Sequence, residues 1–244
     1  MDGILNICKP RGLSSFKALS IVKNKLANEL GVKPKQLKVG HLGTLDPLAM
    51  GILILMFGKA TKLANVLHAP QKIYRFLWVA SKTSDTLDDE GEITATTDVI
   101  PTQEQIMAIL PQMVGDIEIE VPKYSAVHID GKRAYDLARK GVDFVPPKKV
   151  VKIDRFEMLT FDDCRRDMES IGETYTPQPH SFYFEVECQT GTYIRSLAKL
   201  LADKLGTLAL ASIIIRTKVG EFDIKDSKRL DDVTLGDLQD HELS

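Results

Sequence analysis

The chain has 244 residues, 43% of them hydrophobic and 27% charged, the make-up of an ordinary globular protein and a length for one large domain, or one domain plus a small appendage. No apolar run approaches the ~20 residues that span a bilayer. No basic flank precedes the first apolar residues as in a signal peptide, and three scattered cysteines without a C-x-x-C pair argue against a disulfide framework and a zinc site, so a cytoplasmic address is expected. The net charge of −2 hides an asymmetry, because residues 1–82 hold 13 Lys and Arg against 3 Asp and Glu. A basic N-terminal part is what a polyanionic substrate would require. For residues 17–38 alone, a solvated basic helix surface is the better account of the lysines.

In chain order, residues 3–8 read as a short apolar strand ending at the turn Lys9-Pro10-Arg11-Gly12. Ser14-Ser15 offers an N-cap for a helix over 16–30, with Leu19, Val22, Leu26 and Leu30 near helical spacing and Gly31 as its stop. Residues 38–46 form a loop, 51–57 a buried strand and 60–67 a short helix. In 71–79, bulky residues on both faces predict a strand. The acidic turn at 85–91 does not fit a calcium loop and predicts a hairpin. Thr102 opens a helix to about 113. Residues 122–141 read as strand, turn and short basic helix. They begin a second cationic zone, with 9 basic against 4 acidic residues from Lys123 to Arg155. Strands follow near 148–161 and 182–190, separated by a polar loop excursion at 162–181. The stretch Thr190-Gly191-Thr192-Tyr193-Ile194-Arg195-Ser196 leads into a helix stopped by Gly206, and 212–215 is a last strand. Irregular alternation of strands and helices predicts an α+β class around a mixed sheet.

The chain is organised around Gly40-His41-Leu42-Gly43-Thr44-Leu45-Asp46-Pro47-Leu48-Ala49-Met50-Gly51. Asp46 is the only acid between Glu29 and Asp85. Pro47 biases it away from helical backbone. Two readings stand side by side: a carboxylate held in a pocket, or an Asx turn capping a local amide. A buried Asp46 needs a cation, and Arg195 at a helix entrance is well placed in the sequence to offer one. Tyr74 could stack a base or belong to the core; His41 could contact a substrate or cap a turn. Gly58-Lys59-Ala60-Thr61 fails the P-loop pattern, and Gly40-x-x-Gly43 is too weak a pattern for a KH clamp. No metal-ligand spacing stands out.

Together these residues resemble the tRNA pseudouridine synthase B (TruB) family over nearly all of 3–222. The match runs through the G-H-x-G-T-L-D-P-x-A-x-G signature and its G-x-A-T-K continuation to Lys62. It includes Lys9-Pro10-Arg11-Gly12-Leu13-Ser14-Ser15, Lys72-Ile73-Tyr74, the D-T-x-D-x-x-G turn at 85–91 and Gly191-Thr192-Tyr193-Ile194-Arg195-Ser196-Leu197. The resemblance implies a pseudouridine synthase fold, with a central mixed, largely antiparallel sheet flanked by helices and loops. It implies isomerisation of the T-loop uridine of tRNA, uridine 55, by base flipping and without metal or redox cofactor. Asp46 would be the catalytic aspartate, as nucleophile or in deprotonating the sugar, with Arg195 as its guanidinium partner and Tyr74 stacking on the uracil and taking its C5 proton. His41 would contact the extruded nucleotide and Lys62 a phosphate. Tyr193, Lys9, Gly43 and Thr44 would complete the substrate contacts.

Cys8 stands where the family has an aspartate, Ser84 replaces a frequent threonine, and the 162–181 excursion is longer than the family pattern. The expected organisation is a catalytic domain over 1–220 with an RNA-gripping insertion at about 122–150, followed by a short acidic tail at 221–244 too small for the RNA-binding PUA domain of many relatives. A monomer of the bacterial stand-alone type, acting on the T arm of tRNA and not on membranes, is expected. A guide-RNA-dependent enzyme and a non-catalytic tRNA chaperone are the alternatives.

Overall fold

A computed structural model of the chain describes residues 1–65, 71–125, 127–129, 131–176 and 178–239. β1 (Gly3–Lys9) is buried along its whole length. α1 (Ser15–Glu29) starts where Ser14 Oγ accepts the Lys17 N–H at 3.2 Å, and it buries Ala18, Leu19, Val22 and Leu26 at helical spacing. β2 (Val39–Leu42) and β3 (Met50–Phe57) follow, so the front half of the expected loop is itself a strand. Gly58–Asn65 forms a 3-10 helix. The rest of the helix expected over 60–67 lies outside the described residues, as do Asp130 of the expected turn and Pro177 of the excursion.

β4 (Gln71–Ala80) precedes the hairpin of β5 (Lys82–Ser84) and β6 (Ile93–Thr96), which encloses the acidic turn as predicted. α2 (Gln103–Ile109) has the Thr102–Gln105 capping box and gives way to a 3-10 turn at Pro111. β7 (Gly115–Glu120) is not among the predicted elements. Then come β8 (His128–Ile129), β9 (Lys132–Arg133), α3 (Ala134–Arg139), β10 (Lys148–Leu159), α4 (Phe161–Ser170), β11 (Ser181–Gln189), α5 (Ile194–Lys204), β12 (Ala209–Val219), β13 (Phe222–Asp223) and β14 (Lys228–Arg229). Among the described residues, no helix is long and apolar enough to cross a membrane.

The residues divide into two compact units, one of Met1–Tyr74 with the chain from Ile214 on, the other Arg75–Ile213. In the first, the strand order is β14–β1–β3–β12, with β13 beside β12. β1 runs antiparallel to β3 from Gly3 opposite Phe57 to Lys9 opposite Gly51. The other edge of β3 is shared by β2, antiparallel, and by β12, parallel at Met50 and Gly51. One face packs Leu5, Ile7, Leu53 and Leu55 under Val22 and Leu26 of α1; the other packs Ile4, Ile52, Ile54 and Met56 against Val219. With both faces covered, β3 reads as an unbroken apolar run, and β1 as one interrupted by the buried Asn6. The stretch expected to be a short acidic tail folds into this unit instead. β14 pairs parallel with β1, Ile4 and Gln239 exchange two backbone hydrogen bonds of 2.9 Å, and Leu230 and Val233 enter the core. Its apolar residues are spaced too widely to announce this in the sequence.

The second unit orders its strands β4–β11–β10–β7, with antiparallel pairing of β10 to β11 and to β7. Phe76, Phe156 and Phe184 meet at centroid distances of 5.4 to 5.9 Å, and the Trp78 indole N–H donates to Ala198 O of α5 at 2.9 Å. The predicted loop excursion opens with α4. Thr160 caps it with Asp163, and it buries Cys164 and Met168 one turn apart. Asp167 of α4 accepts hydrogen bonds from Arg75 at 2.7 Å and Tyr183 at 2.8 Å, and Arg75 also meets Glu185 at 2.7 Å. The expected α+β class with mixed, largely antiparallel pairing holds.

Candidate active site

In the first unit the loop between β2 and β3 carries Asp46, and three other segments fasten it. Leu45 and Leu48, either side of Asp46 and Pro47, are buried in the core. The Ala49 N–H donates to Asp46 O at 3.1 Å, closing a β-turn with Pro47 at the position its fixed φ favours. Ser15, buried at the start of α1, grips both backbone groups of one residue: the Leu45 N–H donates to Ser15 Oγ at 2.8 Å, and Ser15 Oγ donates to Leu45 O at 3.0 Å. The Gly12 N–H donates to Pro47 O at 2.9 Å. Lys9 is 0% exposed, and its ammonium donates to Pro10 O at 2.9 Å, Leu13 O at 2.6 Å and Pro47 O at 3.2 Å. A side chain expected among the substrate contacts thus lies behind the loop and joins the 10–13 turn to the 45–48 turn.

Arg216 on β12 holds the front of the same loop and is absent from the residues picked out in the sequence. It is 1% exposed; Nε and Nη2 donate to Ile52 O at 2.8 and 2.6 Å, and Nη2 donates to Gly43 O at 2.9 Å. Its Cζ lies 6.0 Å from the centroid of the buried Tyr74 ring. Gly51 makes this approach possible. Its φ is +93°, and a Cβ there would stand 2.3 Å from Arg216 O, a backbone atom that cannot step aside. Gly43, also in left-handed backbone, would place a Cβ 3.2 Å from Arg216 Nη1. One signal was available: a single cation ending the run Ile213-Ile214-Ile215, where a buried strand has no use for a charge unless its donors are committed.

His41 on β2 is half-buried, and its buried Nδ1 has no hydrogen-bond partner among the described residues. Burial depresses its pKa, with the Arg216 charge adding to the effect. Thr44 is exposed beside Asp46, and Lys62 is exposed on the Gly58–Asn65 turn. His41, Gly43, Thr44, Asp46, Lys62 and Tyr74 therefore belong to one unit. Among the described residues no cluster of His, Cys, Asp and Glu could hold a metal ion.

Arg195 and Tyr193 belong to the second unit. Tyr193 is the N-cap residue of α5. Arg195, 3% exposed, donates from Nη1 to Thr86 O at 2.7 Å and from Nη2 to Tyr124 O at 3.0 Å, with Nε 3.7 Å from Asp88 Oδ2. The acidic turn supplies this cradle. Asp88 accepts the Glu90 N–H at 3.1 Å and Asp85 the Glu92 N–H at 3.0 Å, so the acids organise the turn that receives the arginine. At Gly91 a Cβ would stand 2.2 Å from Asp85 Oδ1, so a side chain there would displace the capping carboxylate. A buried guanidinium facing a buried carboxylate and two carbonyls is compensated in charge and in hydrogen bonds.

Comparison with known proteins gives consistent matches. Residues 29–194 match the family model for TruB family pseudouridylate synthase (N terminal domain). The chain is 39% identical over 222 residues to tRNA pseudouridine synthase B of Caulobacter vibrioides, covering 91% of this chain and 64% of that protein. It is 35% identical over 238 residues to tRNA pseudouridine synthase B of Caldanaerobacter subterraneus subsp. tengcongensis, covering 97% of this chain and 75% of that protein. The chain spans a little under two thirds of the length of its Caulobacter and Brucella relatives. Among solved structures, a chain of a Cbf5-Nop10-Gar1 complex matches with TM-score 0.63 and 25% identity over 94% of this chain and 53% of its own.

Proposed function

The chain belongs to the TruB family of pseudouridylate synthases, and from that premise we propose that it isomerises a uridine in the T arm of tRNA, uridine 55, to pseudouridine. The observation that carries this reading is the Asp46 loop. One acid, alone between Glu29 and Asp85, sits in a loop whose backbone is fixed by Lys9, Ser15 and Arg216. The tRNA substrate named for the relatives supports tRNA over a guide-directed target.

In the proposed reaction the bond between uracil N1 and ribose C1′ breaks, the base turns, and C5 joins C1′. The C5 hydrogen leaves as a proton and N1 gains one, so the atoms balance without an oxidant or a hydride. Asp46 acts in its ionised form, as nucleophile at C1′ or as the base that deprotonates the sugar. Tyr74 stacks on the uracil and takes the C5 proton; Arg195 is the guanidinium of the reaction. His41 meets the extruded nucleotide, and Lys62 and Thr44 its backbone. Flipping the base costs a few kcal/mol, offset by stacking and by phosphate contacts from the basic residues. The protein acts as a monomer in the cytoplasm, with no cofactor.

The test is pseudouridine mapping of an unmodified tRNA transcript after incubation with wild type and with Asp46→Asn. Modification of the T-loop uridine by wild type alone is expected. Binding without modification by either protein would favour the chaperone reading, and an active Asn variant would remove Asp46 from the mechanism.

A further inference from the structure

Phe16 is 72% exposed, more than any other aromatic ring among the described residues. Isolated exposed apolar residues are common and need no explanation by themselves. The position of this one is unusual. It follows Ser15, whose hydroxyl exchanges two hydrogen bonds with the Leu45 backbone, and the turn before it reaches Pro47 through the Gly12 N–H. The ring therefore stands on the first turn of α1, one residue after the serine that holds the Asp46 loop. The helix has its core stripe elsewhere, in Ala18, Leu19, Val22 and Leu26. Exposed Lys17 and half-exposed Arg11 are its neighbours in sequence, within the part of the chain where 13 cations face 3 acids.

From the aromatic face, the flanking cations and the attachment to the Asp46 loop, we infer that Phe16 is a stacking platform for an unpaired nucleobase of the RNA next to the target uridine. The inference rests on the proposed function for the identity of the RNA. The chemistry is that of single-strand binding surfaces: every base presents a π-face to an aromatic ring while lysine and arginine hold the adjoining phosphates. A protein partner would use the ring equally, but the cationic surround favours a polyanion.

The probe is a T-arm stem-loop RNA, tested against wild type, Phe16→Ala and Phe16→Trp. Because the ring is exposed, both variants are expected to keep the wild-type melting temperature. Phe16→Ala should weaken binding and raise KM about tenfold, with kcat changed far less, and Phe16→Trp should restore both. Replacing loop nucleotides one at a time by abasic residues should reveal one position whose loss costs wild type about tenfold and the Ala variant nothing further. Unchanged affinity and KM in Phe16→Ala overturns the inference, as does a concentration-dependent wild-type dimer that Phe16→Ala abolishes. Wild type that binds the stem-loop without isomerising it refutes the functional reading, and the affinity comparison then decides the role of Phe16 separately. Wild type that does not bind it at all overturns both.

Discussion

Ser15→Ala tests whether the Asp46 loop is held from α1. The substitution removes one buried oxygen and with it two hydrogen bonds, leaving the Leu45 N–H and C=O without their partner. A buried backbone group stripped of its partner costs ~1–3 kcal/mol, so the loss should be about 2–4 kcal/mol, with some relief from local relaxation. At ~2–4 °C per kcal/mol for a chain of this size, the melting temperature should fall by about 5–15 °C. Ser14→Ala is the control. Its hydroxyl is exposed and makes a single cap bond of 3.2 Å, so it should cost only about 1 kcal/mol. The assay pairs thermal melts with the single-turnover rate of pseudouridine formation and with hydrogen exchange at the Leu45 amide. Ser15→Ala should lower the rate as well as the melting temperature, because Asp46 follows the released peptide; Ser14→Ala should leave the rate alone. If the two variants melt and react alike, the loop is not positioned by Ser15 and the account of the site is wrong.

Two further outcomes follow from titration. Burial and Arg216 depress the His41 pKa below the ~6.5 of an unfolded chain. The unfolded state then binds the extra proton first, so the neutral histidine's contribution is present above pH ~6.5 and is lost as pH falls from there towards the depressed value. Urea midpoints between pH 8 and 5 should therefore drop less steeply in His41→Gln than in wild type, and identical slopes would refute the effect. All three cysteines are buried; the Cys164 thiol is pushed up to about 12 by desolvation, with the Asp167 charge adding, and Cys8 is raised by burial too. Iodoacetamide at pH 8 should leave the native protein unlabelled and modify all three in urea, whereas native labelling of Cys164 at the rate of a free thiol would contradict the buried setting.

Features set by neighbouring residues were legible in the sequence. α1 announced itself through Ser14 and its apolar spacing, and the Asp46 turn through Pro47 and the surrounding glycines. Features that depend on distant partners were not. α4 has Cys164 and Met168 as its buried residues in a ten-residue polar stretch, so its periodicity is faint, and its anchor to Arg75 lies about 90 residues away. Arg216 looks like a strand-end cation until β12 is laid parallel to β3 at Gly51, which brings its fork onto Ile52 O and Gly43 O. Lys9 shows the converse. Its motif was visible, but only the fold reveals that its three donors are spent on carbonyls.

The pairing of β1 with β14 bears on how the polypeptide is made. The second unit is one continuous stretch, Arg75–Ile213, and has everything it packs soon after it leaves the ribosome. The first cannot be completed in that order, because Ile7 and Cys8 await Lys228 and Arg229. At ~5–20 residues per second, β1 waits about 10–40 s for its outer partner. During that interval the nascent chain carries a Leu- and Ile-rich strand with one unsatisfied edge, the kind of segment that pairs with the wrong neighbour or recruits a chaperone. Co-translational folding should therefore begin in the middle of the chain, with the Asp46 loop among the last parts to set.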